Sequence, residues 1–276
     1  MGTSSRWPGP GGSGGTAAGD WSRVGRRLSS WRPDRPEAPA RLDAIAEDYL
    51  DVLHRTLRED PSAFGLYEAA YAAGERLTAA MDTFPPGRDS THDDGGDGMD
   101  AVSRFVAAVG GEGGTVADAA VRRAAAATVG RLTEHHPEAL GSGGGGWSGD
   151  LLCLVYQWFF ADIVAEFLRI VIAEKVRLVV PILPLADPED RVADWVAEQV
   201  LRLLPNPCEE AERLLEAAEQ AEDTEDAVTA LEDPKADTLA RIARELLPRT
   251  VGAALGLLTE SVAGPDTPPS EEAPAA

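Results

Sequence analysis

Three charged residues interrupt the most apolar stretch of the chain. Asp162, Glu166 and Arg169 stand at spacings of four and three, which places them on one face of a helix. Two carboxylates one turn apart repel when both are ionised. In an enclosed site one of them would keep its proton and could act as a general acid, while Arg169 held the other. A polar stripe at a helix interface, with Arg169 neutralising Glu166, accounts for the same residues without chemistry. No His accompanies the carboxylates, so the Glu-x-x-His pattern of a di-iron bundle is missing.

Other constellations fail on spacing. In the stretch from Asp93 to Asp100, a calcium loop beginning at Asp93 would put Gly95 at its third position and Arg104 at its twelfth, where a bidentate Glu belongs. His135 and His136 are adjacent, so on a helix they point apart and do not converge on a metal. Gly110, Gly111, Gly113 and Gly114 precede a helix, but no Lys-Ser/Thr follows and Glu112 would repel phosphate. Gly252 and Gly256 have the spacing that lets two helices approach closely. The expectation is no metal site, no cofactor and no assigned catalytic residue, with the balance against an enzyme.

Cys153 and Cys208 are the only cysteines. They are too few to form a disulfide framework, so they read as free thiols. Cys153 belongs to an apolar run and reads as a small buried hydrophobe. Cys208 falls in the first turn of a helix, where the macrodipole favours a thiolate and Glu209 and Glu210 oppose it.

The elements that carry these residues are helical. Leu42, Ile45, Tyr49, Val52, Leu53 and Leu57 describe one apolar face from about residue 38 to Asp60-Pro61. A second helix carries Phe64, Tyr67, Tyr71, Leu77 and Met81, a short one covers about 99–109, and an Ala-rich one about 115–135. Residues 150–178 form a long helix that is apolar almost all round and so must be covered by other helices or by a partner. Asp187-Pro188, Asn206-Pro207 and Asp233-Pro234 each place a capping side chain before a first-turn Pro and start the last three helices. The last of these should run from about 234 to 262. The fold class is all-α. The boundaries are a disordered Arg/Gly/Trp-containing arm at 1–37, an N-terminal helical unit at 38–140, a Gly-rich linker at 141–149, a tighter C-terminal bundle at 150–263 and a disordered tail at 264–276.

Composition narrows the function. The formal net charge of the 276 residues is −22, which disfavours nucleic acid and anionic membrane surfaces. Residues 1–36 run against this trend, with six Arg against Asp20 and Asp34. Only Lys175 and Lys235 are lysines, the usage of a high-GC, actinobacterial-like genome. The first residues lack the apolar stretch of a secretory leader, which points to the cytoplasm. The run Leu151–Ala161 is too short to span a bilayer before charges begin, so no transmembrane segment is expected.

Three features favour an interaction, scaffold or adaptor protein that engages a protein partner or a second copy of itself. They are the all-round apolar helix, an acidic run at 209–226, and the basic arm, whose Trp21, Arg26, Arg27 and Trp31 are candidate contacts. The alternative is a helical enzyme or small-ligand bundle with an enclosed apolar pocket or interface at Tyr156, Trp158, Phe159, Phe160 and Trp195. A third reading is peripheral membrane association through the C-terminal bundle.

Overall fold

The computed structural model describes residues 16–81, 98–137, 148–179, 188–220 and 236–258. Among them are nine α-helices and no strand. The helices are α1 (Thr16–Ser29), α2 (Ala38–Glu59), α3 (Leu66–Met81), α4 (Gly98–Gly110), α5 (Val116–His135), α6 (Gly149–Val179), α7 (Pro188–Leu201), α8 (Pro207–Gln220) and α9 (Ala236–Ala254), with a 3-10 turn at Ala63–Gly65 before α3. The fold is all-α.

Local chemistry sets the helix ends. Asp60 closes α2 by donating its backbone N–H to the Thr56 carbonyl. Thr115 and Asp118 cap the start of α5 reciprocally, each side chain accepting from the other's backbone N–H. Asn206 Oδ1 accepts the Cys208 N–H at 3.0 Å and starts α8. At the end of α9, Leu257 N–H reaches the Gly252 carbonyl and Gly256 N–H reaches the Ala253 carbonyl, with Gly256 at φ 63°. These bonds form a Schellman cap, which favours Gly at the left-handed position. The cap ends the helix well short of residue 262. Gly256 also admits the His54 ring of α2, which a methyl there would meet, whereas a methyl on Gly252 would meet Leu258 of the cap itself.

One apolar core runs through the described helices. Its centre is α6, which lies between α5 and α7 and also meets α3, α8 and α9. α2 packs on α7, and α3 packs on α9. The units expected on either side of 141–149 therefore share a single core, and residues 141–147 of that boundary lie outside the described residues. The approach of α3 to α9 and α6 is close, since a methyl on Gly74 would strike Leu247 and Phe160. Phe64 takes a left-handed backbone (φ 66°), unusual for a bulky residue. Its ring packs against Trp21 (6.1 Å) and Phe167 (5.1 Å), which holds the turn between α2 and α3.

The expectation of a disordered arm fails over residues 16–37. α1 packs on α2 and buries Trp21, Val24 and Leu28, with Trp31 buried just beyond it. These four recur at spacings of three, four and three, one helix face. Residues 1–15 and 264–276 lie outside the described residues.

Candidate functional site

The stripe on α6 divides between two sets of partners. Asp162 is 3% exposed and faces α5, where Ala124 and Ala125 leave room for close packing. Arg131 Nη2 donates to Asp162 Oδ1 at 2.7 Å, and Thr128 Oγ1 donates to Oδ2 at 3.2 Å. Burial pushes the Asp162 carboxyl up to about 7, against the opposing pull of Arg131 and Thr128. The Arg131 guanidinium also lies 5.6 Å from the centre of the Trp158 ring, and the rings of His135 and His136 approach that indole at 6.4 Å.

Glu166 faces a different neighbour. It pairs with Arg169, whose Nε lies 2.9 Å from Asp190 Oδ1 and whose Nη2 lies 3.9 Å from Asp194 Oδ1 on α7. Burial raises the Glu166 carboxyl and Arg169 opposes the shift. Its Oε2 is buried with no hydrogen-bond partner. Each carboxylate thus has its own arginine, and Glu166 still adds a smaller upward push on Asp162. Among the described residues no three His, Cys, Asp or Glu side chains are grouped to hold a metal ion.

The expected aromatic pocket is filled by its own side chains. Tyr156, Phe159 and Phe160 are buried, with Phe160 5.0 Å from Tyr156 and 5.5 Å from Phe159, ring to ring. The Tyr156 hydroxyl lies 2.8 Å from Thr250 Oγ1 and 3.0 Å from the Ala243 carbonyl, and burial raises its pKa. Trp158 and Trp195 are half-buried at the margin. A surface groove of about 300 Å³ lies elsewhere, lined by Trp31, Pro33, Pro39, Leu42, Pro188 and Arg191. Its residues come from three parts of the chain, and no local spacing announces it.

The arm residues mostly serve the fold. Trp21 Nε1 donates to Thr56 Oγ1 at 3.1 Å, and Trp31 Nε1 donates to the Ala38 carbonyl at 2.9 Å. Arg27 pairs with Asp48 on α2. Arg26 stays exposed in the last turn of α1. The two tryptophans are therefore not free to reach a partner.

α8 has the opposite character. In its described part only Pro207 and Ala211 are buried, while Glu209, Glu212, Arg213, Leu214 and Glu216 are exposed. Arg213 is paired with Glu210 (2.5 Å) and lies 3.9 Å from Glu209. Leu203 just before the helix is 55% exposed and Leu214 within it 40%. A disulfide joins Cys208 in its first turn to Cys153 on α6, which overturns the reading of two free thiols. The pairing depends on α8 folding back over the N-terminal end of α6, and local sequence does not carry that information.

α6 is also long and apolar enough, from Gly149 to Glu174, to cross a membrane by length and composition, yet 83% of that window is buried inside the fold. No protein-family model, curated protein or solved structure matches the chain.

Proposed function

We propose that this is a non-enzymatic interaction protein that docks a basic, amphipathic partner segment on α8. Of the three features that favoured an interaction role, α6 is mostly covered within its own chain, and Trp21 and Trp31 are buried. The acidic helix remains, and it carries the proposal. α8 turns Glu209, Glu212, Glu216 and Leu214 outward, with Leu203 beside its start and Arg213 as its described cation. A partner with Lys or Arg to meet the carboxylates and an apolar side chain to cover Leu203 or Leu214 complements that face. A second copy of the chain is a poor occupant, because at −22 the copies repel.

The test is a titration of the full chain with a short helical peptide of lysines and leucines, followed by fluorescence anisotropy. Binding should weaken by about tenfold or more in a Glu209→Gln/Glu212→Gln/Glu216→Gln variant, and should weaken with added salt. Equal affinity of variant and wild type would remove α8 as the docking face.

A further inference from the structure

We infer that the Cys153–Cys208 bond is a reversible clasp holding α8 in place, and that a dithiol reductant opens it to dissolve the acidic face. This rests on the reading of α8 as the docking surface. α8 has few other holds: its described buried residues are Pro207 and Ala211, and its contacts with the bundle are with α9 and the start of α6. A helix of 14 residues released from its packing is marginal in water. Without the clasp, α8 loses the geometry that lines its glutamates up beside Leu214. The rest of the fold does not depend on it, because α6 stays packed between α5 and α7.

The two sulfurs differ in access. Cys153 is 2% exposed, whereas Cys208 is only half-buried. A reductant thiolate therefore attacks Cys208 Sγ, forming a mixed disulfide and releasing the Cys153 sulfur as a thiolate, which takes up a proton. The second thiol of the reductant then attacks its own sulfur in the mixed disulfide and releases Cys208. The protein disulfide gains two electrons and two protons, and the dithiol becomes a disulfide. In a cytoplasmic setting, protein disulfides are transient and redox-sensing rather than permanent, which suits a clasp with one half-buried, reachable sulfur.

The experiment treats the native, oxidised full chain with dithiothreitol. Reduction is followed by intact mass, hydrogen exchange is followed in a peptide covering 207–220, and the Lys/Leu peptide is titrated in both states. Reduction should add about 2 Da without denaturant, speed exchange in α8 by about tenfold or more with α5 and α6 unchanged, and weaken peptide binding about as strongly. Oxidised glutathione should restore all three. A Cys208→Ser variant should match the reduced protein. The clasp is overturned if the bond resists dithiol until the chain is denatured, if α8 exchanges at the same rate once reduced, or if Cys208→Ser fails to fold. An oxidised protein that binds no basic peptide defeats the docking reading instead, and the exchange rates still decide the clasp.

Discussion

α6 and α8 carry the same kinds of charged residue and use them in opposite ways. In the middle of α6 the carboxylates of Asp162 and Glu166 lie inside the fold and each answers to its own arginine, Asp162 to Arg131 and Glu166 to Arg169. On α8 the carboxylates of Glu209, Glu212 and Glu216 face water, and among its described residues the holds are a covalent bond and the buried Pro207 and Ala211. Burial converts a charge into an internal constraint, costly to disturb and invisible to partners. Exposure leaves it cheap to change and available for long-range attraction. Mutation should therefore separate the two helices along two axes, stability for α6 and binding for α8.

The largest effect is expected at Phe160, packed against Tyr156 and Phe159 at the centre of the core. Phe160→Ala should destabilise the protein by about 3–5 kcal/mol in urea unfolding. A loss below about 1 kcal/mol would mean that the α6 interior is not close-packed. Next comes Arg131→Met, which strands the buried Asp162 carboxylate and should cost about 2–4 kcal/mol near pH 8.

That cost should shrink in acid. The folded Asp162 binds its proton more tightly than an ordinary carboxyl. Its stabilising share is therefore complete below the usual carboxylate range and is lost as pH rises through about 7. The stability difference between wild type and Asp162→Asn, measured across that window, should follow this slope. A flat difference would show that the carboxyl titrates as if exposed.

Gly256→Ala tests the cap of α9, the helix that meets both α6 and α8. It puts a methyl into a left-handed position and against the His54 ring. A loss of about 1–2 kcal/mol in thermal melts is expected. The smallest stability change belongs to α8, where Glu209→Gln with Glu216→Gln should shift unfolding by less than about 0.5 kcal/mol while weakening binding of the basic peptide. A stability loss comparable to that of Arg131→Met would erase the distinction between the two helices.

Helices that announce themselves by period and cap were legible in the sequence. The face of α2 from Leu42 to Leu57, the length of α6 and the Asn206-Pro207 start of α8 need only local spacing and one side-chain oxygen. The pairing of Arg169 with Glu166 was legible for the same reason, being one turn apart. α1 was hidden because its Gly- and Ser-rich surroundings dominate the composition, although Trp21, Val24, Leu28 and Trp31 mark its buried face. Arg131, the disulfide and the groove at Trp31 join residues distant in sequence, and only tertiary packing decides such pairings. The end of α9 was overrun because Gly256 was read only as a packing residue, when it is also the left-handed terminator.

The docking of α3 on α9 across Gly74 has a consequence for the order of assembly. Gly74 faces both Phe160 and Leu247, so the face around it is complete only once α6 and then α9 have been added to the growing chain. α1, α2 and the turn at Phe64 can gather first, but α3 keeps part of an apolar flank open until α9 follows. Nascent chains halted before α9 should therefore be held by a chaperone, while chains extended past Gly256 should close that face.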